Sequence, residues 1–188
     1  NITANSSDNV GVTRVEFYRN LILIGTDTTQ PYSVSWNTNG LIGTQQLLAR
    51  AFDAVNNSAN SSIVNVNVLD IINPVVNVSH SPLNPTTDQQ VIITATANDL
   101  GGISQIQIYV DDILAQTCAS SPCSTTPQVY SSGLHTYYST ATDNSNNIGR
   151  DPASGSKTFN VSIPQYLLTV TKSGTGSGIV TSNPAGID

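Results

Sequence analysis

Residues 2–12 read ITANSSDNVGV, and residues 93–103 repeat this pattern as ITATANDLGGI at a constant offset of 91. At the same offset, VEFY at residues 15–18 corresponds to IQIY at residues 106–109. Further along, AFD at residues 51–53 matches ATD at residues 141–143 at an offset of 90. A repeat of this length, with turn signals about every 8–12 residues, is typical of tandem all-β domains rather than of a short-repeat solenoid.

The composition favours strands and disfavours several classes of partner. The chain has 188 residues, a net charge of −6 and 10% charged residues, whereas typical soluble domains have about 25%. Glu16 is the only glutamate and the chain has no Met, so strong helix formers are scarce. An acidic surface poor in lysine disfavours nucleic acid. No apolar run approaches the roughly 20 residues that span a bilayer, so we expect no membrane insertion either.

Alternating apolar residues predict the strands of the first copy. Val15 and Phe17 share one face of a strand that ends in a two-residue turn at Asn20-Leu21. Tyr32, Val34 and Trp36 alternate with serines, which predicts a strand with an aromatic core face. Together the two copies have the following expected core residues: Val15, Phe17, Trp36, Ala49, Ile93, Ile106, Ile108 and Ala141.

The repeat also predicts the domain boundaries. The first domain is expected to comprise residues 1–69 and to lack its first strand. A short linker is expected over residues 70–74. The second domain, residues 75–163, begins one strand earlier, at residues 75–79. Its closing residues Phe159, Val161 and Ile163 are aligned with Val64, Val66 and Val68 of the first copy. Residues 164–188 are expected to form a hairpin or strand segment that belongs to a third element.

Cys118 and Cys123 are the only cysteines and are separated by four residues. A local disulfide is the favoured interpretation, with free thiols and a metal site as alternatives. Zinc prefers four nitrogen or sulfur ligands, and only His80 and His135 remain elsewhere in the chain. Because disulfides persist outside the reducing cytosol, the pair favours an exported protein.

Four segments of the first copy resemble the bacterial Ig-like domains of secreted and surface proteins: SDNVGV at 7–12, VEFY at 15–18, PYSVSW at 31–36 and AFD at 51–53. The second copy is similar but lacks the Trp. Residues 166–188 resemble the opening of another repeat of large bacterial exoproteins. The resemblance implies tandem immunoglobulin-like β-sandwiches, located outside the cell or on its surface and used as stalk, spacer, adhesin segment or accessory module.

Four aspartates recur at equivalent turns: Asp8, Asp53, Asp99 and Asp143. They are candidates for calcium ligands, although calcium needs six to eight oxygens and each turn offers one carboxylate with Asn and Ser beside it. The alternative is an Asx-turn, in which each carboxylate caps nearby backbone N–H groups. We expect no other cofactor.

Catalytic interpretations have little support in the sequence. No serine lies in a nucleophile elbow near His80 or His135, and one Glu leaves no carboxylate pair typical of glycosidases. We therefore expect no enzyme activity. Tyr18, Tyr109 and Tyr138 are expected on outer faces, where they could stack on sugars or be single exposed aromatics.

The sequence favours a non-catalytic segment of a bacterial surface fibre, filament or stalk. The alternative is an adhesin or carbohydrate-binding accessory module of a larger secreted protein or enzyme. The expected partners are other copies of the chain or neighbouring Ig-like domains, and surface glycans under the alternative. Because the first copy begins at its second strand, a strand from the C-terminal segment of another copy could complete it. The candidates for this strand exchange are Leu167, Leu168, Val170, Ile179 and Val180.

Overall fold

The computed structural model describes residues 1–167, 169 and 173–178. These residues form sixteen β-strands and no helix, which confirms the predicted all-β class. Val, Ile and Thr are frequent in the strands, and their branched side chains suit a pleated, half-buried surface. Within the described ranges, no helix exists that has the length and apolar character needed to cross a membrane.

The first half of the chain contains seven strands: β1 (Ile2–Ala4), β2 (Arg14–Arg19), β3 (Ile22–Asp27), β4 (Tyr32–Val34), β5 (Gly43–Phe52), β6 (Ser58–Asn60) and β7 (Val64–Val68). The larger sheet has the order β3-β2-β5-β6, and β7 pairs with the other end of β5. Strands β1 and β4 form a separate antiparallel ladder. The two layers are those of a small sandwich.

The second half contains nine strands: β8 (Val75–Ser81), β9 (Gln90–Asn98), β10 (Ile103–Val110), β11 (Ile113–Cys118), β12 (Cys123–Ser124), β13 (Gln128–Val129), β14 (Gly133–Asp143), β15 (Ile148–Asp151) and β16 (Lys157–Val161). One sheet has the order β11-β10-β14-β15, with β16 also on β14. In the other sheet, β12 and β13 pair with one edge of β9, and β8 pairs along the opposite edge. This second sandwich is the more complete of the two.

The strand register supports the repeat seen in the sequence. Phe17 lies opposite Ala49 in the first domain, and Ile108 lies opposite Ser139 in the second. The predicted alignment of the closing strands is wrong by two residues: Leu47 pairs with Val64, whereas the equivalent Tyr137 pairs with Lys157. A shift of two keeps every side chain on the same face, so alternation alone does not reveal it.

The core of the first domain is small. Val15, Phe17 and Tyr32 are the buried members of its cluster, and Ala49 is only partly buried against them. The expectation for Trp36 is wrong, since β4 ends at Val34 and the indole is half-buried outside this cluster. Tyr32 is instead the buried aromatic residue of this segment, 3% exposed, because alternation ends where the strand ends.

The second domain has a larger continuous core, in which the predicted Ile93, Ile106, Ile108 and Ala141 are all buried. The full set of buried residues in this cluster is Val78, Val91, Ile93, Ala95, Ala97, Ile106, Ile108, Val110, Cys123, Tyr137, Ala141, Phe159 and Val161. Strand β8 contributes Val78 to this core, and the described residues of the first domain hold no strand equivalent to β8. The first core therefore lacks the apolar side chains that Val76 and Val78 of β8 supply to the second.

The structure joins Cys118 and Cys123 in a disulfide whose Cα atoms are 5.6 Å apart. Cys118 lies opposite Ile106, as Asp27 lies opposite Val15 in the first domain. Cys123 lies opposite Ala95, and Tyr32 lies opposite Ala4, the equivalent of Ala95 in the repeat. Cys123 therefore takes the place of Tyr32. In the second domain, a covalent bond therefore closes this loop. In the first domain, hydrogen bonds close the equivalent loop, because the Asp27 carboxylate accepts from the backbone N–H groups of Thr29 at 3.0 Å and Ser33 at 2.8 Å.

The predicted C-terminal hairpin is only partly within the described residues. Leu168, Val170, Ile179 and Val180 lie outside them. Leu167 is described and is 94% exposed, outside any strand. Strand exchange through these residues therefore stays a prediction.

Candidate functional site

The recurring aspartates form the same type of turn in both domains. The Asp53 carboxylate accepts hydrogen bonds from the backbone N–H groups of Val55 at 2.9 Å and Asn57 at 2.8 Å. The Asp143 carboxylate does the same with Ser145 at 2.7 Å and Asn147 at 2.9 Å. These bonds are those of the Asx-turn interpretation. Burial alone would raise the pKa of the two carboxyls, but hydrogen bonds from the asparagines outweigh it and lower the pKa of each.

Asp8 and Asp99 also cap their own turns. The Asp8 carboxylate accepts from the backbone N–H groups of Val10 at 2.8 Å and Gly11 at 3.1 Å. The Asp99 carboxylate accepts from that of Gly101 at 2.7 Å. All four predicted residues therefore have a structural role that needs no ion.

The second domain differs from the first because a third carboxylate joins the pair. One carboxylate oxygen from each of Asp70, Asp99 and Asp143 lies within 4.8 Å of the others. In the described part of the chain no such group of three forms around Asp8 and Asp53. The sequence interpretation missed Asp70, because it lies in the linker and has no equivalent in the first copy.

The linker lies against the second domain. The Asn147 side chain donates a hydrogen bond to the carbonyl oxygen of Asp70 at 3.2 Å. The Pro74 carbonyl oxygen passes so close to Gly149 that a Cβ atom at that position would lie 1.9 Å from it. Gly149 is therefore required to be small by the path of the linker, and the chain enters the second domain along β15.

The first domain has an open groove of about 580 Å³ between its two layers. Its apolar lining includes Ile2 and Ala4 of β1, Ala49 and Ala51 of β5, and Ala59 of β6. In the second domain, β8 lies beside β9 and contacts β14 and β15, the equivalents of β5 and β6. The groove is thus the position that β8 fills in the second domain.

The outer-face tyrosines contact neighbouring side chains of their own domains. Tyr109 and Tyr138 stack on each other, with centroids 4.6 Å apart. The Arg150 guanidinium covers the other side of Tyr138, 4.1 Å from its centroid. Tyr18 donates its hydroxyl to Glu16. Both faces of Tyr138 are therefore occupied from within the domain.

Neither histidine belongs to a catalytic triad in the described part of the chain. His135 pairs through Nδ1 with Asp111 at 2.7 Å, but its Nε2 faces the backbone carbonyl of Ser131 at 3.0 Å. His80 lies 3.0 Å from the Tyr137 hydroxyl through Nδ1. Among the described residues, no serine hydroxyl is hydrogen-bonded to either ring.

The two partners of His135 are both acceptors, so only the doubly protonated ring can donate to both. Burial alone would lower the pKa of His135, but the Asp111 carboxylate and the Ser131 carbonyl outweigh it and raise the pKa above 6.5. Burial would likewise raise the pKa of Asp111, and the bonds from His135 and Thr136 outweigh it and hold that pKa below 3.8. The pair is therefore charged over a wider pH range than isolated side chains would be.

We expect the stability of the second domain to fall as the pH rises above neutrality. The raised pKa of His135 stabilises the fold fully below the unfolded value of 6.5, and this contribution is lost as pH rises through the folded pKa. The lowered pKa of Asp111 stabilises the fold above 3.8, and this contribution is lost as pH falls through its folded pKa. Calorimetry between pH 4 and 9 should show a fall above roughly pH 6.5 that His135→Gln removes. Asp112→Asn, which changes a charge at the same hairpin tip, should leave the profile unchanged; equal profiles for wild type and His135→Gln would refute the assignment.

The match to a family sequence model agrees with this architecture. The sequence model of a family described as bacterial Ig domain matches residues 1–69 and 74–141. The fibronectin(III)-like modules of Clostridium thermocellum CbhA are 24% identical, with 92% of this chain and 89% of that chain covered and a TM-score of 0.40. The amphioxus IgVJ-C2 molecule is 10% identical, with 86% of this chain and 94% of that chain covered and a TM-score of 0.47. Latent PorU from Porphyromonas gingivalis is 14% identical, with 85% of this chain but 17% of that chain covered and a TM-score of 0.34. No curated protein sequence matches the chain.

Proposed function

Because the chain belongs to the family of bacterial Ig domains, we propose that it is a non-catalytic structural segment of an extracellular fibre, filament or stalk. In this role the two sandwiches act as a spacer whose domains keep a restricted relative orientation. The arrangement of the described side chains is consistent with such a role, since the histidines and the outer-face tyrosines bond to their own domain.

The observation that carries the proposal is the contact of the linker with the second domain. The linker is short, from the end of β7 at Val68 to the start of β8 at Val75. The carbonyl oxygen of Asp70 accepts a hydrogen bond from Asn147, and the carbonyl oxygen of Pro74 passes directly over Gly149. A linker that only tethers two domains needs neither contact, because a Gly- or Ser-rich coil performs that task. These contacts fix the linker on the second domain, which leaves less of the chain between the two sandwiches free to bend.

The disulfide and the surface chemistry support an extracellular location. Disulfides persist in oxidising compartments and are rare in the cytosol. Cys118–Cys123 closes the β11–β12 loop of the second domain, and the surface carries few lysines to attract nucleic acid. A secreted bacterial module would meet both conditions.

Backbone ¹⁵N relaxation of the whole chain tests the spacer role. We expect the two domains to tumble with one shared rotational correlation time. Gly149→Ala should separate the two values, because the added Cβ would lie 1.9 Å from the Pro74 carbonyl oxygen and displace the linker. The matched control is Gly176→Ala, where a Cβ has open space, and it should change nothing.

Two outcomes would contradict the proposal. Independent tumbling of the wild-type domains would mean that the linker contacts do not restrain them. A Gly149→Ala chain with unchanged relaxation, despite its intact fold by circular dichroism, would mean that the path of Pro74 is irrelevant to orientation.

We propose a β-strand with the alternating pattern of β8 as the partner of the first domain. Strand addition to β1 would place apolar side chains in the open groove, as Val78 is placed in the second domain. Unpaired strand edges favour such pairing, because their N–H and C=O groups lack partners. A neighbouring Ig-like domain or another copy of the chain could supply the strand in a fibre.

A further inference from the structure

Three carboxylates meet where the linker enters the second domain. Asp70 comes from the linker, Asp99 from the turn between β9 and β10, and Asp143 from the end of β14. They are distant in sequence, yet one oxygen from each lies within 4.8 Å of the other two. Residues from three separate segments therefore face one small volume.

The charge in this volume has no counter-charge from the described residues. The ion pairs of the described residues are Arg14–Glu16, His135–Asp111 and Lys157–Asp151, and none includes the three aspartates. Like charges about 4 Å apart repel by about 1 kcal/mol in water, and by more where the surroundings are less polar. Such a convergence is costly unless a cation lies among the carboxylates.

The burial of the oxygens points to the same conclusion independently. Oδ2 of Asp70 is a buried atom without any hydrogen-bond partner, whereas its Oδ1 accepts from the backbone N–H of Ile72 at 3.1 Å. The Asp143 side chain beside it has no exposed surface. A buried, unpartnered carboxylate oxygen is costly, so it normally has a partner that accepts its charge.

Gly101 keeps the space between these oxygens open. A Cβ atom at this position would lie 2.4 Å from Oδ2 of Asp70 and 3.3 Å from Oδ1 of Asp99. Any side chain at residue 101 would therefore occupy the volume that the carboxylates face. The glycine leaves them accessible to something smaller than a side chain.

We propose that Asp70, Asp99 and Asp143 bind one calcium ion at the junction of the linker and the second domain. All three ligands are oxygens, which hard cations prefer, and calcium accepts six to eight of them at about 2.3–2.6 Å in flexible geometry. The Asx-turn hydrogen bonds do not prevent ligation, because an ionised carboxylate has about four acceptor positions. Water completes the coordination shell. The bound ion joins the linker to two turns of the second domain.

The first domain provides an internal control for this inference. Asp53 has the same hydrogen-bonded turn as Asp143, including an asparagine side chain 2.7 Å from its second oxygen. It lacks a third carboxylate within the described residues. The turn alone therefore explains the recurring aspartates, and Asp70 is what distinguishes the second site.

Isothermal titration of the whole, chelator-treated chain with calcium chloride tests the proposal. We expect one site with a Kd on the order of 10⁻⁴–10⁻³ M, the range of extracellular calcium modules. Asp70→Asn should weaken binding at least tenfold, because it removes the charge and keeps the oxygen that bonds to Ile72. Asp99→Asn should have a similar effect, and Asp53→Asn should have none.

Chemical shifts of the backbone amides provide a second readout that does not depend on the stability of a variant. Calcium should shift the signals of residues around 70, 101 and 147 in the wild-type chain and leave those around residue 53 in place. Absence of binding at 10 mM calcium would overturn the proposal. So would equal loss of affinity in Asp53→Asn and Asp70→Asn, or shifts that spread over both domains alike. Calcium binding and restricted domain motion are measured separately, so the failure of one is distinguishable from the failure of the other.

Discussion

Phe17→Ala should lower the free energy of unfolding of the first domain by about 3–5 kcal/mol, the usual cost of removing a buried aromatic side chain. Phe17 is 1% exposed, and its cluster has only two other buried residues, Val15 and Tyr32. With so few neighbours, the domain has little capacity to repack around the cavity. Differential scanning calorimetry of the whole chain should show the loss in one transition, while the transition of the second domain stays in place.

Trp36→Ala is the matched comparison. Trp36 is the larger side chain, but it is half-buried and lies outside the core cluster. We expect it to cost less than half as much as Phe17→Ala, because less apolar surface returns to water. A larger cost for Trp36→Ala would mean that the indole, and not Phe17, holds the two layers together.

A chain with a copy of residues 75–91 placed ahead of Asn1 should have a first domain that is more stable by about 2–4 kcal/mol. By the offset of the repeat, this copy would place the β8 sequence beside β1. Its equivalents of Val76 and Val78 would then enter the open groove. Burying two valines contributes about 1.5–3 kcal/mol each, and ordering the added strand offsets part of this gain.

The same copy with both valines replaced by aspartate is the control, and it should add nothing to the stability. Trp36 is the only tryptophan, so its fluorescence in a urea titration reports on this domain alone. An equal effect of the two copies would show that the groove does not receive apolar side chains.

Addition of a free peptide of residues 165–171 tests whether the C-terminal segment supplies the strand. Stabilisation of the first domain by this peptide, and not by a scrambled one, would support exchange between copies.

The strands and turns of this protein were predictable because they depend on local rules. The two-residue turns at Asn20-Leu21 and Asp111-Asp112 have φ values of 46° and 68°, and of 48° and 62°. This is the left-handed geometry that matches the twist of the flanking strands. Alternation likewise predicted the buried faces of β2, β9 and β10. These features need no knowledge of distant residues.

The errors arose where the outcome depends on partners distant in sequence. Trp36 continues the alternation of Tyr32 and Val34, but no strand pairs with it, so the pattern ends before it reaches the core. The closing strands were aligned by alternation, which does not distinguish registers that differ by two residues. Asp70 was missed for a related reason: nothing near it in the sequence indicates that it meets Asp99 and Asp143.

The difference between β1 and β8 has a consequence for how the chain carries tension. A pull on the two ends enters the first domain through β1, which has three residue pairs with β4. It enters the second domain through β8, which has seven pairs with β9. The shorter ladder is the mechanically weaker element, because fewer hydrogen bonds share the load. We therefore expect a first domain with an empty groove to unfold at a lower force than the second domain when the two ends of this chain are pulled.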